Sequence, residues 1–508
     1  MKINMNVKTF TIYNIIERNA RSSPNGVAFG GKNGYVSHVQ FKALVDELSV
    51  GLLKRGLTKG DCIGVVAKNS LEYFILLGAA ARTGALIVPI NWRFSRQEIE
   101  YVLSDSSPTF VFADPEYQEM LSKLRSKAPS VKEWFSINEG NAQFLSFSAL
   151  KEKQQNQNKI EVNPDDPYVI IYTAAVSGKP RGAVLTHRNI FSANVEYIIS
   201  LRLGEEDAHL TTTPLYHIAC LGLSLAVMHA GGKNIIIPKF DKEEIATCIE
   251  QDKATIIASF PPILSNLLDE ANASSRDLSS LRWVLGIDQQ DTIKRLETET
   301  DATFVLGYGQ TEVSGVISLG TSSQRPGSVG RGGLLTDIMI VDEKDNEVEP
   351  GKAGEMVIRG PSVFAGYWNC EDETEYTLRN GWHHTGDLCR RDKDGFLWFV
   401  GRKAEKELIK PGGENVYPVE VEEIITEHSA IREVCVIGVP DQKWGEAIKA
   451  ICVLEPGHTV TEDDLREFVA TRISRIKKPK YVVFVSELSR GRDGLVDREK
   501  IKANFGKP

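Results

Sequence analysis

The chain has 508 residues, 42% of them hydrophobic and 25% charged, with a formal net charge of −8. That length exceeds what one hydrophobic core serves, so two or more domains are expected, and the composition is that of a globular protein. The acidic balance weighs against a general nucleic-acid binder, which needs a cationic excess to neutralise phosphates.

Seven cysteines, at positions 62, 220, 248, 370, 389, 435 and 452, form no Cys-x-x-Cys pair and are odd in number. Neither a zinc site nor a disulfide framework is supported, and they read as small buried residues in a reducing compartment. The first eight residues lack the apolar block of a signal peptide. The longest apolar stretch, residues 73–90, is interrupted by Arg82 and Gly84. It reads as a buried helix followed by a strand, not a membrane span. No transmembrane segment and a cytoplasmic protein are therefore expected.

In chain order, residues 41–55 carry Leu44, Leu48 and Leu52 at helical spacing, and residues 62–67 form a short apolar strand. A helix over 71–83 leads into a strand at 85–89, with further strands predicted at 109–113, 168–172, 234–238, 255–259, 283–285 and 303–306. Short apolar strands separated by helical segments indicate largely parallel sheets covered on both faces. The polar run 151–160 is a surface linker or loop.

Beyond Gly315 the texture becomes glycine-punctuated and β-rich, at 338–342, 355–359 and 396–400, which predicts a small antiparallel sheet or distorted barrel. The C-terminal part reads as helix 418–428, strands 433–439 and 448–454, helix 462–474 and strand 481–485. The boundary is placed near Arg402, where charged residues crowd, giving units 1–401 and 402–508. The fold class is α/β: a large domain of doubly wound sheets with a barrel-like subdomain, followed by a small α+β domain.

Several short stretches carry candidate chemistry. Residues 172–182, from Tyr172 to Gly182, follow a strand and precede a helix opening near Thr186. Backbone N–H groups at such a turn cradle phosphate oxygens, with Lys179 and Arg181 adding charge. The spacing is not that of a Walker A loop, and by itself an ordinary strand–helix loop explains it equally well. Further on come Tyr308-Gly309-Gln310-Thr311-Glu312, Thr385-Gly386-Asp387, Gly401-Arg402 and Gly412-Gly413-Glu414-Asn415-Val416-Tyr417-Pro418. The pair His383-His384 has no third ligand at suitable spacing and reads as packing or surface residues. Lys477-Lys478-Pro479-Lys480 reads as a solvated turn.

These stretches, in this order, resemble the motifs of adenylate-forming enzymes, the AMP-dependent synthetases and ligases that include acyl-CoA synthetases. The resemblance spans the chain from near Asn14 to Gly494. It implies that Thr173, Ser177, Gly178, Lys179, Arg181 and Gly182 hold the ATP phosphates. It places Tyr308 on the adenine with Gly309 and Gln310 beside it, Thr311 at the α-phosphate and Glu312 as the Mg²⁺ ligand. The strand end Gly286, Ile287 and Asp288 joins this ATP site. Asp387 accepts the ribose hydroxyls, since both carboxylate oxygens are acceptors, and Arg402 contacts ribose or phosphate.

In Pro214-Leu215-Tyr216-His217 the histidine is implied to neighbour the reacting carboxylate or gate thiol entry, against the plainer reading of a satisfied core residue. Lys406 and Lys410 join Thr311, Glu312 and His217 as catalytic candidates. Lys406 and Ala404 are both candidates for the pivot, because residues 401–410 are longer than the family pattern. Gly412, Gly413 and Glu414 form the CoA-accepting face once the small domain swings, with glycines letting the pantetheine arm pass. The segment Phe260-Pro261-Pro262-Ile263-Leu264 and the strand end at 286–288 carry no Arg or Lys, which favours an apolar monocarboxylic acid.

The expected function is an AMP-forming acyl-CoA synthetase using ATP, Mg²⁺ and CoA, with a homodimer compatible with the reading. Two departures qualify it. Ala174-Ala175-Val176 stand where the family carries Ser, Gly and Thr, and each missing charge-assisted hydrogen bond is worth about 1.5–3 kcal/mol. Leu495 stands where a lysine bridges the substrate carboxylate and α-phosphate. Arg492, Arg498 or Lys500 replaces it only in a shifted register. The alternative is an adenylation-impaired homologue that binds nucleotide or acyl-CoA.

Overall fold

The computed structural model describes residues 10–32, 34–152, 160–173, 180–403, 408–490 and 496–507. Ala174, Ala175, Val176, Ser177, Gly178, Lys179, Ala404, Lys406, Arg492 and Leu495, singled out above, lie outside the described residues.

Among the described residues the strands form sheets of nine, eight, four and three strands. In the eight-stranded sheet, Pro167–Thr173, Leu86–Pro89, Cys62–Val66, Phe110–Ala113 and Glu133–Ser136 are parallel neighbours. Pro167–Thr173 then pairs antiparallel with Arg181–Thr186, which brackets the candidate phosphate loop. In the nine-stranded sheet, Ala208–Leu210, Ile256–Ser259, Trp283–Gly286 and Thr303–Tyr308 run parallel in that order. Helices Ile12–Ser22, His38–Lys54, Leu71–Thr83 and Ile218–Ala230 share one apolar core with strands of the two sheets.

Leu71–Thr83 has its predicted bounds for local reasons. Ser70 Oγ accepts from Tyr73 N at 3.2 Å, and Gly84 closes the helix in the left-handed region at φ 71°. Residues all round its circumference are buried, as fits a helix in a large protein's core. The strand predicted at 234–238 is shorter, ending at Ile235. There Thr211 Oγ1 takes the Ile237 N–H at 3.0 Å and the Asn69 amide donates to Ile237 O at 3.3 Å. Side chains thus satisfy backbone groups that a neighbouring strand would otherwise take.

The β-rich region is a four-stranded antiparallel sheet of Asp337–Val341, Ala353–Arg359, His383–Arg391 and Leu397–Arg402. The C-terminal unit has its own three-stranded sheet, with Ile431–Asp441 antiparallel to Gly445–Leu454 and Tyr481–Val485 parallel to the latter. Its two faces alternate along the strands: Val436, Ile448 and Ala450 share a core with Val421 and Leu465, while Cys435, Ile437 and Ile451 share one with Leu488 and Ile501. Helix Glu462–Ala470 stops short of the predicted 474. Ser474 instead reaches the large domain, its Oγ donating to Arg93 O at 2.7 Å.

All seven cysteines are free, and six are buried. No helix among the described residues is long and apolar enough to cross a membrane.

Candidate active site

Strand Thr303–Tyr308 delivers the chain to a tight passage in which Gly309 is obligatory, since a Cβ there would lie 1.6 Å from Gly315 O. On one side of it Tyr308 and Gln310 turn towards Asp387. The Tyr308 hydroxyl donates to Asp387 Oδ2, and Gln310 Nε2 donates to the same oxygen at 2.7 Å and to Thr385 O at 3.1 Å. Arg402, directly across the antiparallel ladder from Asp387, places Nε 3.0 Å from the other carboxylate oxygen. Burial and the Asp387 charge hold the Tyr308 hydroxyl well above its ordinary range, so it stays a donor.

On the other side Glu312 Oε1 accepts from the Tyr367 hydroxyl at 2.8 Å. Arg181 lies over the Tyr367 ring, 4.6 Å from its centroid, and pairs with Glu373. Tyr417 of the small domain closes the arrangement. Burial first, and then the Glu312 charge, raise its hydroxyl; Arg181, Arg402 and Asp387 act on it as well. Glu312, Arg181, Arg402 and Asp387, drawn from scattered segments, all act on this one half-buried side chain.

Thr173 faces Arg181 in register, its hydroxyl 3.5 Å from Arg181 O, at the stem of the phosphate loop, and Gly182 O accepts from Trp368 N at 2.7 Å. Gly286 is paired with Leu306, next to the strand that ends at Tyr308, while Ile287 is 47% exposed. Burial raises the Asp288 carboxyl. Neighbouring Gln289 touches the small domain, donating to Gln442 O at 3.3 Å.

Glu414 is only 5% exposed, although it belongs to the small domain. Its carboxylate pairs with Arg93, accepts from the Tyr216 hydroxyl at 3.1 Å, and lies 3.2 Å from His217 Nε2 and 3.4 Å from Asn91 Nδ2. Burial works against the charge, yet His217 and Arg93 more than offset it and hold the carboxyl at about 2. The His217 side chain is 36% exposed at the head of helix Ile218–Ala230, not a core residue. Gly412 and Gly413 carry the loop inward at φ +59° and +87°; a Cβ on the first would lie 2.8 Å from Trp444, and on the second 3.0 Å from Phe260.

Lys410 sits beneath this loop, its backbone N donating to Glu446 Oε2 at 2.6 Å. Burial, and next the neighbouring Arg402, lower its ammonium to about 8. Arg498 pairs with Glu422 at 2.7 Å and Lys500 with Asp497 at 2.8 Å, so both are engaged by small-domain partners.

Several contributors were not singled out from sequence. Glu355 accepts from Gly386 N at 2.9 Å and Lys403 Nζ at 2.7 Å, and lies 3.1 Å from His384 Nδ1, so it shapes the Asp387 turn. Burial opposes its charge, but His384 and Lys403 hold its carboxyl at about 2. An acidic residue heading the apolar run Met356-Val357-Ile358 was the available signal. His383 and His384 are buried, as the packing reading requires. Lys477 is a correction: at 4% exposure it is no solvated turn residue. Two carboxylates bury it, one from each domain, with Nζ 2.6 Å from Glu98 and 2.8 Å from Glu420.

The AMP-binding enzyme family matches residues 16–368, and the AMP-binding enzyme C-terminal domain matches residues 420–495. The chain is 32% identical over 498 residues to indoleacetate–CoA ligase of Aromatoleum aromaticum, covering 96% of each. It is 29% identical over 478 residues to a long-chain-fatty-acid–CoA ligase of Mycobacterium tuberculosis, covering 92% of this chain and 93% of that one. A double mutant of o-succinylbenzoate CoA synthetase from Bacillus subtilis, bound with its product analogue, is 26% identical and superposes with a TM-score of 0.86, covering 96% of this chain and 98% of the other. The same enzyme in complex with its acyl-adenylate intermediate, at the same identity and coverage, gives 0.70. With both of its folded parts matched, the chain belongs to the AMP-binding enzyme family.

Proposed function

We propose that the protein is an AMP-forming acyl-CoA synthetase acting on an apolar monocarboxylic acid. The observation that carries the reading is the meeting of Tyr308, Gln310 and Arg402 at the Asp387 carboxylate, with Glu414 of the small domain lodged beside His217. One cleft thus offers nucleotide-binding groups and a thiol approach.

In the first step a carboxylate oxygen of the acid attacks the α-phosphorus of ATP, the α–β anhydride bond breaks and pyrophosphate leaves. Arg181 and Thr311 face the phosphates, while Asp387, steadied by Tyr308, Gln310 and Arg402, takes the ribose hydroxyls. Mg²⁺ ordinarily takes one or two carboxylates plus substrate phosphates, and Glu312 supplies one. Among the described residues no group of three or more His, Cys, Asp or Glu could hold a metal ion. Bound at Glu312, Mg²⁺ offsets phosphate charge.

In the second step the CoA sulfur attacks the acyl carbon, the bond to the AMP oxygen breaks, and AMP leaves. The thiol proton passes to His217, with the new positive charge facing Glu414. The chain pivots beyond Arg402, so that residues 402–508 move as the small domain. The orientation described is the acyl-transfer one. Its support is the higher TM-score with the product-analogue complex than with the acyl-adenylate complex, and the seating of Gly413 against Phe260 and of Glu414 beside His217.

The test is a panel of aliphatic and aromatic acids with ATP, Mg²⁺ and CoA, measuring AMP and acyl-CoA. Equal amounts of the two products are expected with at least one apolar acid. ATP binding without turnover of any acid contradicts the reading and favours a binding protein.

A further inference from the structure

We propose that Lys477 is a positioning residue, a latch between Glu98 of the large domain and Glu420 of the small domain that holds the orientation needed for acyl transfer. The proposal rests on the two-step reading above. Lys477 is 4% exposed and Glu420 6%. A single ammonium thus joins two carboxylates across the domain boundary, at 2.6 and 2.8 Å. Both carboxylates are also used elsewhere, which fixes their positions. Glu98 Oε2 accepts from Ser95 N at 2.7 Å, capping helix Arg96–Ser106, and from Ser474 N at 3.2 Å. Glu420 Oε1 accepts the backbone N–H of Tyr417 at 2.9 Å.

The second link connects the latch to the reaction, because Tyr417 lies three residues beyond Glu414, whose carboxylate sits against His217. The large-domain side is equally continuous: Arg93, which grips Glu414, offers its carbonyl to Ser474 Oγ at 2.7 Å. Residues 91–98 therefore hold both the thiol-side loop and Lys477. Removing Lys477 leaves two carboxylates without their cation, and removing the Glu98 charge breaks the ion pair that crosses the boundary, so either change costs the docked state more than any alternative in which these groups meet water. The latch biases the domain equilibrium towards transfer and is absent from the adenylation step.

Glu98→Gln is the informative variant. Glutamine also serves at the third position of a capping box, so helix Arg96–Ser106 keeps its cap while the charge is lost. Acyl transfer from purified acyl-adenylate to CoA should slow about tenfold, with ATP–pyrophosphate exchange unchanged or faster. Lys477→Gln should give the same split, and combining the two should add nothing to Lys477→Gln alone. Equal losses in both half-reactions, or additive effects, would overturn the latch.

Hydrogen exchange on the unliganded protein provides a readout independent of activity. Residues 474–477 should exchange faster in Glu98→Gln, while strands Ile431–Asp441 and Gly445–Leu454 match the wild type. Unchanged exchange at 474–477 refutes the latch. If the wild type converts no acid, the functional reading fails while this exchange comparison still decides the latch.

Discussion

Replacing Glu414 by glutamine keeps the shape of a side chain that crosses from the small domain into the large one, and removes its charge. Arg93 and His217 then face an amide in a pocket where the native residue is 5% exposed. The Glu414 carboxyl is held at about 2 against an ordinary 4.5. At about 1.4 kcal/mol per pH unit, that corresponds to about 3 kcal/mol favouring the charged form in the docked arrangement. Because the pKa is depressed, this contribution is fully present above pH 4.5 and disappears as pH falls towards 2. At neutral pH Glu414→Gln should therefore slow single-turnover transfer from acyl-adenylate to CoA by on the order of 10². Rapid quench measures that step, and ATP–pyrophosphate exchange measures the other half-reaction, which should hold near the wild-type rate. Transfer within twofold of wild type, or exchange falling in parallel, refutes the reasoning.

Lys410 gives a pH signature of the same sign in the alkaline range. Its folded pKa is lowered to about 8 from 10.5. Between those values only the unfolded chain binds the proton, so stability rises with pH by about 1.4 kcal/mol per unit. Denaturation at pH 7.5 and 9.5 should show that rise in the wild type and lose it in Lys410→Met; an equal rise in both contradicts the assignment. Leu495→Lys, argued from sequence because Leu495 lies outside the described residues, should raise ATP–pyrophosphate exchange on the order of 10². Transfer from preformed acyl-adenylate should barely change, and an unaltered exchange rate would remove the case for a missing lysine.

What was legible beforehand is what is local. Strand Tyr481–Val485 and helix Leu71–Thr83 have their expected bounds because an unbroken apolar run in the first, and a serine cap and a closing glycine at the two ends of the second, are all local. Tyr308, Gln310 and Arg402 stand out in sequence because each lies in a short contiguous motif, and the structure brings all three to the Asp387 carboxylate. The strand at 234–238 was misjudged because the hydrogen bond that releases its end comes from Asn69, 168 positions away. Lys477 was misread for the same reason, since Glu98 lies 379 positions from it and no local pattern marks the pair. Charged residues that bind across a domain boundary look, in one dimension, like any solvated charge.

The account stands on acyl-adenylate chemistry in the cleft around Asp387 and Arg402, and isotope transfer tests that most directly. A turned-over acid labelled with ¹⁸O in its carboxylate is incubated with ATP, Mg²⁺ and CoA, and the AMP is analysed by mass spectrometry. One ¹⁸O should appear in the AMP phosphate, carried there when the acyl–oxygen bond breaks. Unlabelled AMP accompanying acyl-CoA, or ADP and phosphate in its place, would contradict the mechanism.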